Sequence, residues 1–201
     1  ITKNIIEYCQ DSKVKNLYMI SSGSVYGSDQ KKFNEKDCCL AKDEYGINHY
    51  KSEQLFFEKL HNTKLTILRL FYPYGFYFEN NSTSLMSKII YRLKKGLIIS
   101  IPQSNRITPF FIDDLSNIIF FFMKNNITGL FNIAGPEEIQ FDEYIRLISK
   151  SINCEPQTKE NNSITSPVSP DIKKLKIFIP KDLLTDFKTG LKKTIQRKKY
   201  E

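Results

Sequence analysis

Apolar positions along the chain alternate between helical spacing and short continuous runs. Residues 3–13 carry Ile5, Ile6 and Cys9 on one helical face, and Asn16-Leu-Tyr-Met-Ile20 follows as an apolar run of strand length. That run stops at Ser21-Ser-Gly-Ser24, where small residues let the backbone turn at a strand's C-terminal end. After a polar, irregular stretch over 28–43, residues 44–61 predict a helix with Ile47, Tyr50, Leu55, Phe56 and Leu60 available for packing. Leu65-Thr-Ile-Leu-Arg-Leu70 predicts a second strand, β-branched and apolar, that ends at Pro73-Tyr-Gly75. Two such strands joined by a helix make a βαβ unit, hence a parallel sheet with ligands at the strands' C-terminal edge.

Beyond Gly75 the texture changes. A polar loop over 76–84 leads to an amphipathic helix over 85–95, then a short strand over 98–101. A loop carrying Arg106 enters Phe110-Phe-Ile-Asp-Asp114 and an apolar helix that runs to Lys124, with 120–122 read as core. Residues 130–134 predict another strand and 138–153 another helix. The stretch 155–170 holds three Pro among polar residues and reads as a loop or linker, and 182–199 closes the chain as a basic helix. Of Asp113 and Asp114, one is expected to cap the helix that follows, a role that needs no metal.

Composition changes this picture mainly by exclusion. The chain has 201 residues, of which 40% are hydrophobic and 26% charged, so it is globular and long enough to bury a sizeable core. Its longest apolar run, residues 118–123, falls far short of the ~20 residues that a membrane span needs. No signal peptide is expected from the opening residues, the first of which is Ile rather than Met. Its four Cys (Cys9, Cys38, Cys39, Cys154) show no C-x-x-C spacing, which argues against a zinc or redox motif and suits a reducing cytoplasm. The net charge of +8 is concentrated at the end of the chain. Residues 171–201 hold ten Lys or Arg against four Asp or Glu, a net of +6, which leaves 20 against 18, or +2, for the rest. Such a tail reads as a solvated helix rather than a nucleic-acid arm. The eight glycines never approach closer than four positions, so neither G-x-G-x-x-G nor a Walker loop can be written in this chain.

Three segments carry the chemistry: Met19-Ile-Ser-Ser-Gly-Ser-Val-Tyr-Gly27, Tyr45-Gly-Ile-Asn-His-Tyr-Lys-Ser-Glu53 and Leu68-Arg-Leu-Phe-Tyr-Pro-Tyr-Gly75. In this order and spacing they resemble the extended short-chain dehydrogenase/reductase family, specifically its NAD-dependent epimerases and dehydratases acting on nucleotide sugars. Asn105-Arg-Ile-Thr-Pro-Phe-Phe-Ile-Asp-Asp114 and Gly129-Leu-Phe-Asn-Ile-Ala-Gly135 extend the resemblance, which runs to about Asn153. It implies an α/β fold: the C-terminal part of a Rossmann-like parallel sheet with an interleaved smaller α/β substrate-binding domain. Residues 1–75 would belong to the NAD(P)-binding domain and 76–201 mainly to the substrate domain, with 107–135 returning to the first. The family's glycine-rich front end, three βα units or on the order of 90 residues, is expected to precede Ile1. The chain then reads as truncated, with an apolar sheet edge left open.

The resemblance assigns roles by position. Tyr45 stands as the base that takes a proton from a sugar hydroxyl while hydride leaves to nicotinamide, with Ser22 as hydroxyl partner and Ser24 beside it. Ser21, Tyr45, His49, Phe71 and Pro73 stand at cofactor positions, the cofactor being NAD or NADP, and Ser24, Tyr72 and Arg106 at substrate positions. Arg106 matches an arginine that grips the nucleotide's phosphates, a task suited to a forked guanidinium. Tyr72 stands where many members carry an asparagine. A tyrosine works as a base only if a nearby positive charge draws its titration down from about pH 10. In the family a lysine four residues on supplies that charge. Here the position holds His49, and Lys51 lies about 120° round the helix from Tyr45, against about 40° for His49. A neutral imidazole gives little of an ammonium's field, so impaired catalysis is expected. Gly23-Ser24 occupies the place of the dehydratases' Asp-Glu pair, which favours an epimerase or a reductase-like member. The partner implied is a nucleotide-diphosphate sugar, with a homodimer through 3–13 and 44–61 and with neither nucleic acid nor membrane. Two other readings stand beside it: a non-catalytic nucleotide-sugar-binding or interaction relative, and a keto-sugar reductase distinguished by net NADPH consumption.

Overall fold

The computed structural model describes residues 1–27, 32–75, 84–102, 106–161 and 168–197. Helix α1 (Thr2–Asp11) leads into strand β1 (Asn16–Ser22), a 3-10 turn over Gly23–Tyr26 and the short strand β2 (Lys32–Phe33). Helix α2 (Glu44–Lys59) returns the chain to β3 (Lys64–Leu70) and then β4 (Pro73–Tyr74). Helix α3 (Leu85–Lys94), β5 (Ile99–Ile101), β6 (Arg106–Ile107) and β7 (Phe110–Phe111) precede α4 (Asp114–Lys124) and β8 (Gly129–Ile133). The chain continues through β9 (Ile139–Gln140), α5 (Phe141–Ser151), β10 (Thr158–Glu160), β11 (Ser169–Pro170), α6 (Lys173–Phe178) and α7 (Phe187–Arg197).

The main sheet is parallel, in the order β1-β3-β8. Asn16 faces Lys64 and Ser22 faces Leu70 in one register, and Leu70 faces Ile133 in the next. Central β3 buries Thr66, Ile67, Leu68 and Arg69 in succession, as a strand covered on both faces must. The two outer strands differ. A Lys174 ammonium donates to the Leu130 carbonyl at 2.7 Å and lies over the Phe131 ring, so α6 blunts the β8 edge. Strand β1 has no strand partner on its outer side among the described residues, and Ile20 there is substantially exposed.

Sequence-level cues explain the helix that matters most for the site. Asp43 caps α2, accepting from the Gly46 N–H at 2.8 Å. Glu44 in its first turn and Lys59 in its last complement the helix dipole. On its inner face Phe56 packs with Leu60, Ile6 and Cys9. A second apolar cluster joins Leu68, Phe71, Phe122, Phe131 and Leu175 around the sheet. A third gathers Met86, Ile90, Tyr144, Ile148 and Phe187 from α3, α5 and α7. Among the described residues no helix is long and apolar enough to cross a membrane.

Several expectations need correction. The stretch 155–170 contributes two short parallel strands, β10 against β5 and β11 against β2, rather than a plain loop. These pieces are two or three residues long, and β10 is fully exposed, so no hydrophobic period marks them. Helix α6 fell between the expected elements because it has six residues and one buried side chain, Leu175. Helix α5 starts at Phe141 because Ile139 and Gln140 pair antiparallel with Ile107 and Arg106. Asp113 occupies the N-cap position of α4 as expected, but its side chain makes no capping hydrogen bond. Asp114 accepts from the Thr185 N–H and hydroxyl at 2.7 and 2.8 Å, and Asp113 pairs with Arg197, so both tie α4 to the C-terminal segment. Of 120–122, Phe122 is buried but Phe120 is exposed, because it lies two residues from both Ile118 and Phe122 of the core-facing stripe and so on the opposite face of the helix. The terminal Lys198 and Lys199 lie outside the described residues.

Under this frame sits a buried ion pair. Arg69 donates through Nε and Nη2 to the two carboxylate oxygens of Glu53 at 3.0 and 2.5 Å, and the Ser21 hydroxyl donates to the same carboxylate. Both charged side chains are almost wholly buried. Removing one partner of such a pair strands the other, a cost of about 3–5 kcal/mol, whereas an apolar pair of similar volume is tolerated far better. Glu53→Gln or Arg69→Met is therefore expected to cut urea-unfolding stability by about that amount, and Glu53→Leu with Arg69→Met together to cost less than the sum. Single variants within experimental error of the parent would overturn this account.

Candidate functional site

A cavity of about 600 Å³ opens at the C-terminal ends of β1 and β3. Ser22, Gly23 and Ser24 reach it from the turn after β1, Tyr45 from the start of α2, and Phe71, Tyr72 and Pro73 from the end of β3. Its volume suits a drug-sized ligand.

Each wall has a local cause. The Ser22 hydroxyl accepts from the Ser24 N–H at 3.2 Å and shares a hydrogen with the Ser24 hydroxyl at 2.5 Å, so the two hydroxyls are fixed side by side. Gly23 lets that turn lie against Phe71: a Cβ there would stand 2.3 Å from the ring. Gly46 does the same for α2, since a Cβ would meet the Ser24 carbonyl at 2.5 Å. The close approach brings Tyr45, next to Gly46, to the turn that carries the serines. The rings of Tyr45 and His49 meet edge to face with centroids 4.5 Å apart, the contact expected of side chains four apart on a helix. Tyr72 holds a φ of +46°, a left-handed backbone that asparagine adopts more readily than tyrosine. Its ring packs between the second and third apolar clusters, and burial drives its hydroxyl well above the usual phenol range despite a hydrogen bond with the Val168 backbone.

The expected site residues do not all gather here. Ser22, Ser24, Tyr45, Phe71, Tyr72 and Pro73 line the cavity, whereas Ser21, His49 and Arg106 do not. Ser21 is buried with its hydroxyl on Glu53, as alternation along β1 demands when Ser22 faces the cavity. Half-buried His49 stands behind the Tyr45 ring. Arg106 is exposed and lies 3.6 Å from a Glu138 carboxylate oxygen that also meets Lys32 at 3.0 Å. Among the lining residues that escaped the sequence reading, Leu70, Leu85 and Val168 are apolar, and Ser84 and Lys88 of the α3 end are polar. The amphipathic pattern of α3 marks its buried face, but only the tertiary docking decides what its polar side overlooks.

A sequence model of the NAD dependent epimerase/dehydratase family matches residues 1–134. The chain belongs to this family. Within it, the chain is 30% identical over 166 residues to an ADP-L-glycero-D-manno-heptose-6-epimerase of Brachyspira hyodysenteriae, covering 74% of this chain and 50% of that protein. It is 25% identical to UDP-glucuronic acid decarboxylase 1 of Danio rerio, covering 69% and 34% of the two chains. The chain thus spans half or less of the curated relatives it matches. Its fold is similar to that of UDP-glucuronic acid 4-epimerase from Bacillus cereus, solved with UDP-glucuronic acid and NAD. That likeness has a TM-score of 0.81 at 22% identity, over 99% of this chain and 66% of that one. A UDP-N-acetylglucosamine 4-epimerase from Methanobrevibacter ruminantium, solved with UDP-N-acetylmuramic acid, gives 0.81 at 18% identity over 97% and 66%.

The Arg106 neighbourhood generates a pH test. Burial alone would raise the Glu138 carboxyl, but hydrogen bonds from Lys32 and Ser169 and the charges of Lys32 and Arg106 outweigh it and hold the group below the ordinary carboxylate range. A lowered native value means that this stabilisation is complete above the ordinary range and is lost as pH falls through the native value. Thermal unfolding of Glu138→Gln should therefore differ most from the parent near neutral pH and converge with it in acid. Parallel profiles at every pH would show that Glu138 contributes nothing through its charge.

Proposed function

We propose that the chain forms the substrate-handling part of a nucleotide-sugar epimerase, in which Tyr45 and Ser22 manage the proton of a sugar hydroxyl. The observation that carries this reading is the convergence of Ser22, Ser24 and Tyr45 on one cavity at the C-terminal edge of a parallel sheet. There Tyr45, as the phenolate, accepts the hydroxyl proton and becomes the phenol, while the Ser22 hydroxyl, oriented by Ser24, holds the same oxygen by a hydrogen bond. NAD, when bound, supplies the hydride acceptor for the carbon bearing that hydroxyl. Phe71 and Pro73, beside Tyr45, fit the nicotinamide end of that cofactor, with His49 behind Tyr45. Ser21 serves by fixing the strand end, its hydroxyl being committed to Glu53. None of the eight glycines has the spacing that cradles a pyrophosphate, so the residues present fit only part of the dinucleotide.

Residues 1–75 are assigned to the cofactor-side domain and 76–201 mainly to the substrate side, with 107–135 returning. Pairing of β8 with β3 supports that return. The substrate class is a nucleotide-diphosphate sugar, with Tyr72 against it and Arg106 as a phosphate ligand if it leaves Glu138. Exposed Tyr8 and Phe57 on α1 and α2 support a homodimer through those helices. Four free cysteines suit the cytoplasm. One observation favours the non-catalytic, binding-only reading: an imidazole rather than an ammonium stands beside Tyr45.

Sugar interconversion followed by NMR, with the full-length protein, NAD and UDP-glucuronic acid, separates the two. The expected result is slow turnover that Tyr45→Phe and Ser22→Ala each reduce by about 10²–10⁴-fold without changing nucleotide-sugar affinity, and that His49→Lys accelerates. Turnover that survives Tyr45→Phe would refute the assignment. Binding with no turnover in any variant, His49→Lys included, would establish the binding-only reading.

A further inference from the structure

The cavity is almost devoid of charge. Among the described residues that line it, Lys88 alone is charged. Arg106, the cation that sequence position would place on the ligand's phosphates, lies outside the cavity and against Glu138. Lys88 sits in the first turn of α3, its backbone N–H donating to the Ser84 carbonyl, and its side chain is exposed. No carboxylate among the described residues pairs with it. An ammonium at the mouth of a cavity whose remaining polar groups are hydroxyls has one electrostatic consequence: it favours a ligand with negative charge next to a hydroxyl-bearing part.

We propose that Lys88 is the ligand-anchoring cation of this cavity and binds the diphosphate of the nucleotide sugar. This inference rests on the proposed function, which assigns the sugar to Ser22 and Tyr45 and leaves the diphosphate as the anionic group common to all such ligands. A lysine binds such a group as a point charge on a flexible stem, so its contribution is sensitive to salt. Lys88 holds and orients the ligand and takes no part in proton transfer.

Calorimetric titration with UDP, UDP-glucose and UDP-glucuronic acid tests this at low and moderate salt, in the parent, Lys88→Ala, Lys88→Arg and Arg106→Ala. Lys88→Ala is expected to weaken all three ligands by roughly tenfold and to flatten the salt dependence. Lys88→Arg should retain most of the affinity, and Arg106→Ala should change it less than Lys88→Ala. Equal affinities in the parent and Lys88→Ala overturn the inference while the proposed function stands. Weakening confined to UDP-glucuronic acid overturns it too, because Lys88 would then read the sugar's carboxylate. If the parent binds none of the three, the proposed function fails and the inference falls with it.

Discussion

The Glu53–Arg69 pair is the constraint on which the rest of the structure depends. It joins α2 to β3 in the low-dielectric centre of the molecule, and the Ser21 hydroxyl brings β1 into the same cluster. Burial works against the Arg69 charge, but the hydrogen bonds and charge of Glu53 outweigh it and strengthen the guanidinium's hold on its proton. The guanidinium also lies 4.7 Å from the centre of the Tyr26 ring. Burial pushes the Tyr26 hydroxyl up to about 12, so it serves as a neutral donor to Asn132 at 2.8 Å. Asn132 in turn donates to the Phe33 carbonyl, which ties β8 to β2. One run of buried polar contacts therefore passes from α2 through the sheet to its far strand. Such a network tolerates little slippage, because any displaced member leaves a buried group unsatisfied.

This rigidity sets the cavity. Tyr45 and Glu53 share α2, so anchoring Glu53 fixes the axis along which Tyr45 is presented, while Gly46 sets how closely that helix meets the serine turn. Ser21 and Ser22 divide the work by strand alternation, one facing the ion pair and the other the cavity. Tyr26 ends the same turn. Among the described non-glycine residues that line the cavity, left-handed Tyr72 is the one held in a costly backbone state, roughly 1–3 kcal/mol for a non-glycine residue. It persists because its ring is locked between two apolar clusters and the β4–β7 pairing follows immediately. An asparagine would relax that backbone but would leave the space between the clusters unfilled.

How much of this was legible depended on the range of each cause. Helix α2 and strand β3 could be read because their signals are local: a capping aspartate, an i, i+4 apolar face, an unbroken β-branched run. Ser22 and Tyr45 could be placed together because a parallel βαβ unit brings strand ends and helix starts to one edge. The commitment of Ser21 to Glu53 was legible in principle, since neighbours on a strand cannot face the same way. Arg106 was not: its partner Glu138 lies 32 residues on, and only the β6–β9 pairing brings the two segments together. Nor was Lys88, whose position reflects how α3 docks through Met86, Ile90 and Leu93 rather than anything in its own neighbourhood.

The charges around the cavity form a pattern that no single substitution shows. His49 stands where family resemblance leads one to expect an ammonium beside Tyr45, and Arg106 is engaged by a carboxylate elsewhere. Both departures lower the positive potential at the cavity, one beside Tyr45 and the other at the expected phosphate grip. The buried Glu53–Arg69 pair adds little field there, because its two charges sit in contact and largely cancel. The hydroxyl apparatus is meanwhile held in place by Gly23, Gly46 and the ion pair. Scaffold and electrostatics are therefore separable in this protein: the first is built into its core, while the second rests on a few side chains whose replacement leaves the core untouched. For that reason a single added charge at position 49 can be expected to change the chemistry without disturbing the fold.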